Sequence, residues 1–185
     1  LILVPVVWIA GRSLRVSGRI IGYTVLRTVL HVVALGLMFL SLRYLPLADA
    51  IAIAYVMPLM VLILGKTFLG EEVGPFRVAA CAVGFIGTLL VVQPNFANVG
   101  APALLPLIVA VLFSLFMLTT RKIARECEPI TLQAISGIVA TIILGPAMLI
   151  GGWFGWAEFD YTAPVGIDIW QLIIMGLLGI GSHLC

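Results

Sequence analysis

Of the 185 residues, 63% are hydrophobic and 10% charged, where an ordinary soluble domain carries roughly 25% charge. A soluble chain this short has no core large enough to hide so much apolar surface. The net charge of +2 sets ten basic residues against eight acidic ones, and the basic residues are too few and too dispersed for a nucleic-acid surface.

The charges are absent from Val78 to Thr120 and again from Pro129 to Ala157. Both stretches exceed the ~20 residues that cross a hydrocarbon core as helix. Apolar and polar residues do not alternate with a period of two, which excludes a membrane β-barrel. The expected fold is therefore an all-α membrane protein, a polytopic transmembrane helix bundle.

In chain order, Leu1–Ala10 is a partial apolar span and Gly11–Arg19 a basic loop. Gly22–Leu42 is the next span, closed by the tight turn Arg43–Asp49. Ala50–Leu64 follows, with Pro58 inside it, then the charged loop Gly65–Arg77. Val78–Val92 leads to the polar loop Gln93–Pro102. Ala103–Thr120 ends in the basic loop Arg121–Pro129. Ile130–Gly151 leads to an acidic loop, Gly152–Asp168, and Ile169–Cys185 is a further span. Several spans are short for an untilted crossing, so the flanking turns are expected to extend each by about a turn. The first and last runs have no polar cap, and the chain reads as a fragment of a longer protein.

Alternate loops differ in charge. One set holds Arg12, Arg15, Arg19, Lys66, Arg77, Arg121, Lys122 and Arg125; the other holds only Arg43 among bases, with Asp49, Glu158, Asp160 and Asp168. An excess of Lys and Arg marks cytoplasmic loops, so the first set is expected inside. Trp153, Trp156 and Trp170 border the acidic loop, as interfacial aromatics do. The segments 1–11 and 142–152 overlay with Pro5 on Pro146 and Gly11 on Gly152. They run in opposite directions by this topology and lie five spans apart, the trace expected of an inverted repeat.

The stretch Arg27–Pro94 resembles the EamA-type ten-helix branch of the drug/metabolite transporter superfamily. The resemblance rests on a helix opened by Arg27, the turn RYLPLADA (Arg43–Ala50), a helix interrupted by Pro58, LGEE (Leu69–Glu72) and a helix carrying Gly84 and Gly87. A second resemblance starts near Ala101, with a helix ending in TTRKIAR and another from Ile130. The resemblance implies that residues 1–94 are the remainder of the N-terminal repeat, from the end of helix 2 to helix 5. Residues 95–185 would be a partial C-terminal repeat: helices 6, 7 and the start of 8. It implies a secondary transporter of small metabolites or drugs, working by alternating access on a substrate held near the membrane midplane. The implied location is a bacterial inner membrane; the partners are a small-molecule substrate and the lipid bilayer, with no nucleic acid. Proton coupling and a homodimer are compatible with it.

Ionisable groups inside a span are costly and point to function. Arg27, one turn inside its span, reads either as a snorkelling interfacial cation or as a cation facing a cavity. His31, four residues on, shares its face and is either a proton carrier or a packing histidine. Pro58 kinks its helix and marks a hinge or cavity wall, with Tyr55 one turn before it. Gln133 enters the span after Pro129 as a pathway residue or a solvated helix end. His183 is the counterpart of His31 in the repeat mate, or marks a close helix contact. Glu71 and Glu72 are solvated or latch onto Arg77 or Arg121. Cys81, Cys127 and Cys185 read as free thiols. No catalytic triad, HExxH, phosphate loop or zinc spacing occurs, so no enzyme, cofactor or metal is expected. A membrane-embedded enzyme or a non-transporting scaffold is the alternative reading.

Overall fold

The computed structural model describes residues 16–92, 100–124, 126–153, 166, 169–171 and 173–176. His183, Cys185, the Leu1–Ala10 half of the repeat overlay, and nearly all of the acidic loop lie outside them. The described residues form helices α1 (Gly18–Ser41), α2 (Leu47–Ala54), α3 (Met57–Leu69), α4 (Pro75–Val92), α5 (Leu104–Ile123) and α6 (Pro129–Trp153). A single 3₁₀ turn, Ala101–Ala103, leads into α5, and no strand occurs among these residues. The all-α reading therefore holds.

Among the described residues, four stretches are long and apolar enough to cross a membrane: Gly18–Ser41, Leu47–Leu69, Leu104–Ile123 and Pro129–Ala147; the apolar helix Pro75–Leu90 is shorter. The spans begin earlier or end later than the apolar runs alone, as the short loops require. Their outer faces are apolar and exposed, with Phe39, Phe68, Phe76, Val83 and Leu90 each at least 69% accessible. Such faces are tolerable only against lipid or other helices. Inside the spans, hydroxyls bond to their own helix. Thr28 Oγ1 donates to the Thr24 carbonyl at 2.7 Å, and Thr119 and Thr120 do the same toward Leu115 and Phe116. These side chains therefore present little polarity to the hydrocarbon.

The chain divides into two compact units, Gly22–Glu126 and Leu1–Ile21 with Cys127–Cys185. In the first, α3 packs most extensively on α5; α2 also meets α5, and both meet α4. One end of this unit carries the Lys122 ammonium 4.9 Å over the Tyr23 ring and the Arg121–Glu71 ion pair. The other end carries a small apolar cluster of Leu45 and Ala50, with Met38 and Ala103 packed against it. The start of α1 and the ends of α3 and α5 thus share one end, the arrangement that alternating loops demand. In the second unit, Pro129 opens α6, where its missing N–H is no loss. Pro146 lies within the same helix.

One difference from the sequence concerns Pro58. The expectation was one helix kinked at mid-length. Instead the span is two helices, with the break at Tyr55–Val56 and Pro58 in the first turn of α3. Proline is well tolerated in a first turn, but it gives no N–H to the turn before it and its ring crowds the carbonyl four residues earlier. Tyr55 and Val56 keep right-handed helical dihedrals, with ψ −4° and −15°, and form a tight turn. The break therefore falls upstream of the proline.

In the full-length protein in cells, with native cysteines replaced, a cysteine at Tyr44 should label with an impermeant maleimide from outside. One at Glu72 should label only after the membrane is opened. Labelling of Glu72 from outside would overturn the orientation.

Candidate functional site

The Tyr55–Val56 break leaves backbone groups to be satisfied. The Val56 N–H turns back to the Ile53 carbonyl at 3.2 Å, and the Leu59 and Met60 N–H groups share the Val56 carbonyl at 3.1 Å. Pro58 has no N–H to give the Ala54 carbonyl four residues earlier. Facing the break, α5 presents small residues. Ala110 and Ser114 are fully buried, and the Ser114 hydroxyl donates to the Ala110 carbonyl at 2.6 Å while lying 3.4 Å from the Met57 carbonyl. The break and the small-residue face leave a cavity of about 290 Å³, near the lower limit for small-ligand sites. Its wall is almost wholly apolar and includes Ala34, Met38, Tyr55, Pro58, Ala110 and Phe113. Tyr55 and Pro58 thus share one wall, as their spacing predicts, and Tyr55 remains half exposed.

Arg27 and His31 come next along the α1–α5 groove. Because α1 starts at Gly18, Arg27 lies nine residues in, about 13 Å along the axis rather than one turn inside. It is only 7% exposed. Its guanidinium carbon stands 4.9 Å from the centroid of the Phe116 ring. His31 packs on the same Phe116 ring at 4.8 Å and on Phe113 at 5.6 Å, and the two phenylalanines are 5.2 Å apart. The shared helical face expected for Arg27 and His31 is therefore present, and an aromatic pair on α5 covers it. Arg27 Nε and His31 Nδ1 are buried and, among the described residues, have no hydrogen-bond partner. Each such orphan costs about 1–3 kcal/mol, more where a charge is involved. Phe113 joins this cluster to the cavity, because it lines one and stacks in the other.

Phe113, Phe116 and Ser114 were not singled out in the sequence. The signal was present in the Phe-Ser-x-Phe spacing, which puts two rings on one helix face, but phenylalanine in an apolar span is ordinary packing. Gln133 sits near the start of α6 and is half buried. Cys81 and Cys127 are free thiols. Partial burial, then the Glu128 charge, pushes the Cys127 thiol up, which keeps it protonated and poorly nucleophilic. Among the described residues no three His, Cys, Asp or Glu side chains gather as a metal site would need.

At the base-rich end, the latch between Glu71 and Arg121 is formed. Arg121 Nη1 donates to Glu71 Oε2 at 3.0 Å. Gly70, at φ +66°, ends α3 in the left-handed conformation that glycine adopts without strain. That turn brings the Glu71 N–H back to the Gly65 carbonyl at 3.2 Å. A Cβ at Gly65 would stand 2.9 Å from Glu71 Oε2. Glycine at 65 thus leaves the space the carboxylate uses. The pair is partly exposed, and such pairs contribute about 0–1 kcal/mol. Gly65→Ala should displace the carboxylate and remove the coupling between Glu71 and Arg121. In a thermal-melt cycle on the full-length protein, Arg121→Gln should lower Tm in the wild-type background and leave it unchanged in the Gly65→Ala background. Equal shifts in both backgrounds would show that Gly65 does not serve the pair.

The model of the EamA-like transporter family matches residues 1–93. A riboflavin transporter of Rhizobium johnstonii is 30% identical over 152 residues, 82% of this chain and 48% of the relative. A riboflavin transporter of Brucella anthropi is 27% identical over 164 residues, 89% of this chain and 56% of the relative. An S-adenosylmethionine uptake transporter of Rickettsia felis is 23% identical over 179 residues, 97% of this chain and 58% of the relative. The chain spans about half the length of these curated relatives. No solved structure matches it.

Proposed function

The chain belongs to the EamA-like transporter family, and from that premise we propose that the full-length protein is a secondary transporter of small metabolites. Substrate binds near the bilayer midplane, in the α1–α5 groove beside the broken span. The observation that carries this reading is the cluster of Arg27 and His31, with unpartnered buried atoms next to an apolar cavity. His31 lies about 20 Å along a helix of about 36 Å, close to its middle. Residues 1–94 are the remainder of one repeat and 95–185 part of its inverted mate, a division supported by the family match ending at residue 93. Gln133 and His183 supply the second repeat's share of the pathway.

Transport follows from the two repeats rocking about the shared site, opening it to each side in turn. The sequence carries no nucleotide-binding motif, so the driving force is the substrate's own gradient or an ion gradient. If a proton is coupled, His31 is its carrier, because arginine stays charged at any working pH. The relatives named for riboflavin and S-adenosylmethionine support a substrate with a heteroaromatic ring, and riboflavin is the first compound to try. The absence of converging reactive groups among the described residues favours transport over membrane-embedded catalysis. A bacterial inner membrane fits the basic-loop asymmetry.

Purified full-length protein in liposomes should carry riboflavin across the membrane. His31→Ala and Tyr55→Ala should each lower uptake several-fold with expression and folding intact. Pro58→Ala should lower the maximal rate more than it raises KM, because it trims the apolar wall only slightly while it restores the N–H missing at the break. Wild-type kinetics in all three variants would place the site elsewhere in the protein.

A further inference from the structure

Arg27 is the one cation that the described membrane spans bury deeply. It has a ring face beneath its guanidinium, and its Nε is without an acceptor among the described residues. His31 Nδ1, one turn further into the helix, is also unpartnered. Both hold positions on the same ring, Phe116, so their orientation is set before anything binds. The cavity beyond Phe113 is almost wholly apolar. Polarity and apolarity are thus separated along one groove: a pair of nitrogens at one end, and a hydrocarbon-lined space with aromatic walls at the other.

We propose that Arg27 and His31 form a subsite for a hydrogen-bond acceptor, a carboxylate or ring carbonyl, on a planar ring that lodges in the cavity against Phe113. The inference rests on the transporter reading only for its location in a substrate path. Arg27 provides a fixed charge and a planar N–H donor; a lysine would provide the charge without the plane. His31 donates from Nδ1 in one tautomer and accepts from a ring N–H in the other. The two nitrogens therefore read a flat edge carrying an acceptor, and the stacked phenylalanines read the ring. The subsite and the cavity together select amphipathic planar molecules. They reject simple inorganic anions, which gain nothing from the apolar part, and neutral hydrocarbons, which leave the cation unpartnered.

Two measurements on the full-length protein in detergent test this. The first needs no ligand. Removing a buried cation that has no ion pair relieves its desolvation, whereas removing half of a buried pair is strongly destabilising. Arg27→Met should therefore hold or raise Tm. A fall of many degrees would show that Arg27 is paired with an acid of the protein, and would overturn the subsite. The second uses benzoate and benzamide at pH 7 as probes of a ring bearing a carboxylate or a neutral carbonyl. Either probe should raise the wild-type Tm with a saturable dose response, and the stronger of the two identifies the charge of the natural acceptor. Arg27→Lys should weaken that probe about tenfold or more, the loss expected for a charge-assisted hydrogen bond; His31→Ala should also weaken it, while exposed Thr67→Ala should not. Unchanged probe binding in Arg27→Lys and His31→Ala, or no response to either probe in the wild type, would overturn the proposal. Failure of riboflavin uptake with the probe response intact would instead reject the riboflavin reading and leave the subsite standing.

Discussion

Hydrocarbon offers a backbone amide or carbonyl nothing to bond to, and that constraint accounts for most of what these helices do. It forces every apolar span to be helical, and it sends Thr28, Thr119, Thr120 and Ser114 back onto their own carbonyls. It also decides where a helix is allowed to break. The Tyr55–Val56 interruption frees polar groups in mid-span, and it occurs where α5 presents Ala110 and the Ser114 hydroxyl rather than a lipid-facing side. The cavity follows from the same arrangement: a broken helix opposite small residues cannot fill the space between them.

Two ionic features of the first unit, the Glu71–Arg121 pair and Arg27 over Phe116, obey opposite energetics. The Glu71–Arg121 pair lies at the end of the helices, partly exposed, where each partner is still solvated and its separation costs little. It aligns the ends of α3 and α5 without locking them. Arg27 lies deep in α1, where its charge cannot be shed or solvated as easily. A ring face offers an exposed cation about 0.5–1 kcal/mol, and about 2 when water is excluded, less than the desolvation of a buried ion. The first interaction is cheap to break and the second is incomplete as it stands. The proposed transport, a change of conformation around a ligand, calls for both kinds.

The membrane class and the helix order were legible because hydropathy and charge segregation are signals read over many residues, and no tertiary contact has to be known. Arg27 and His31 were legible as a pair because helical spacing alone puts them on one face. Three things were not. The break fell at Tyr55–Val56, in the turn to which Pro58 gives no N–H, and the proline alone did not say whether that turn would bend or interrupt the helix. The depth of Arg27 depended on α1 beginning at Gly18, and Gly18, Arg19 and Ser17 look like loop residues in isolation. Phe113 and Phe116 were hidden by their surroundings, since one more phenylalanine in an apolar helix carries no signal until its neighbour across the groove is a cation.

An arginine buried in a membrane span whose Nε has no acceptor among the described residues leaves room for an outside group to compensate it. If a protein acid did so permanently, a ligand would have to displace that acid and would gain little from the cation. Left open, the cation holds the empty protein at a cost of a few kcal/mol, and a ligand that brings an acceptor recovers it on binding. Each 1.4 kcal/mol recovered is tenfold in affinity, so a single open donor separates a ring bearing a carbonyl or carboxylate from a plain ring by one or two orders of magnitude. The same device sets a limit. Arginine does not lose its charge, so in the proposed transport cycle release on the far side cannot come from titrating Arg27. It has to come from moving the ring against which the guanidinium is held, or from a change at His31, the neighbour on the same phenylalanine that is able to change charge.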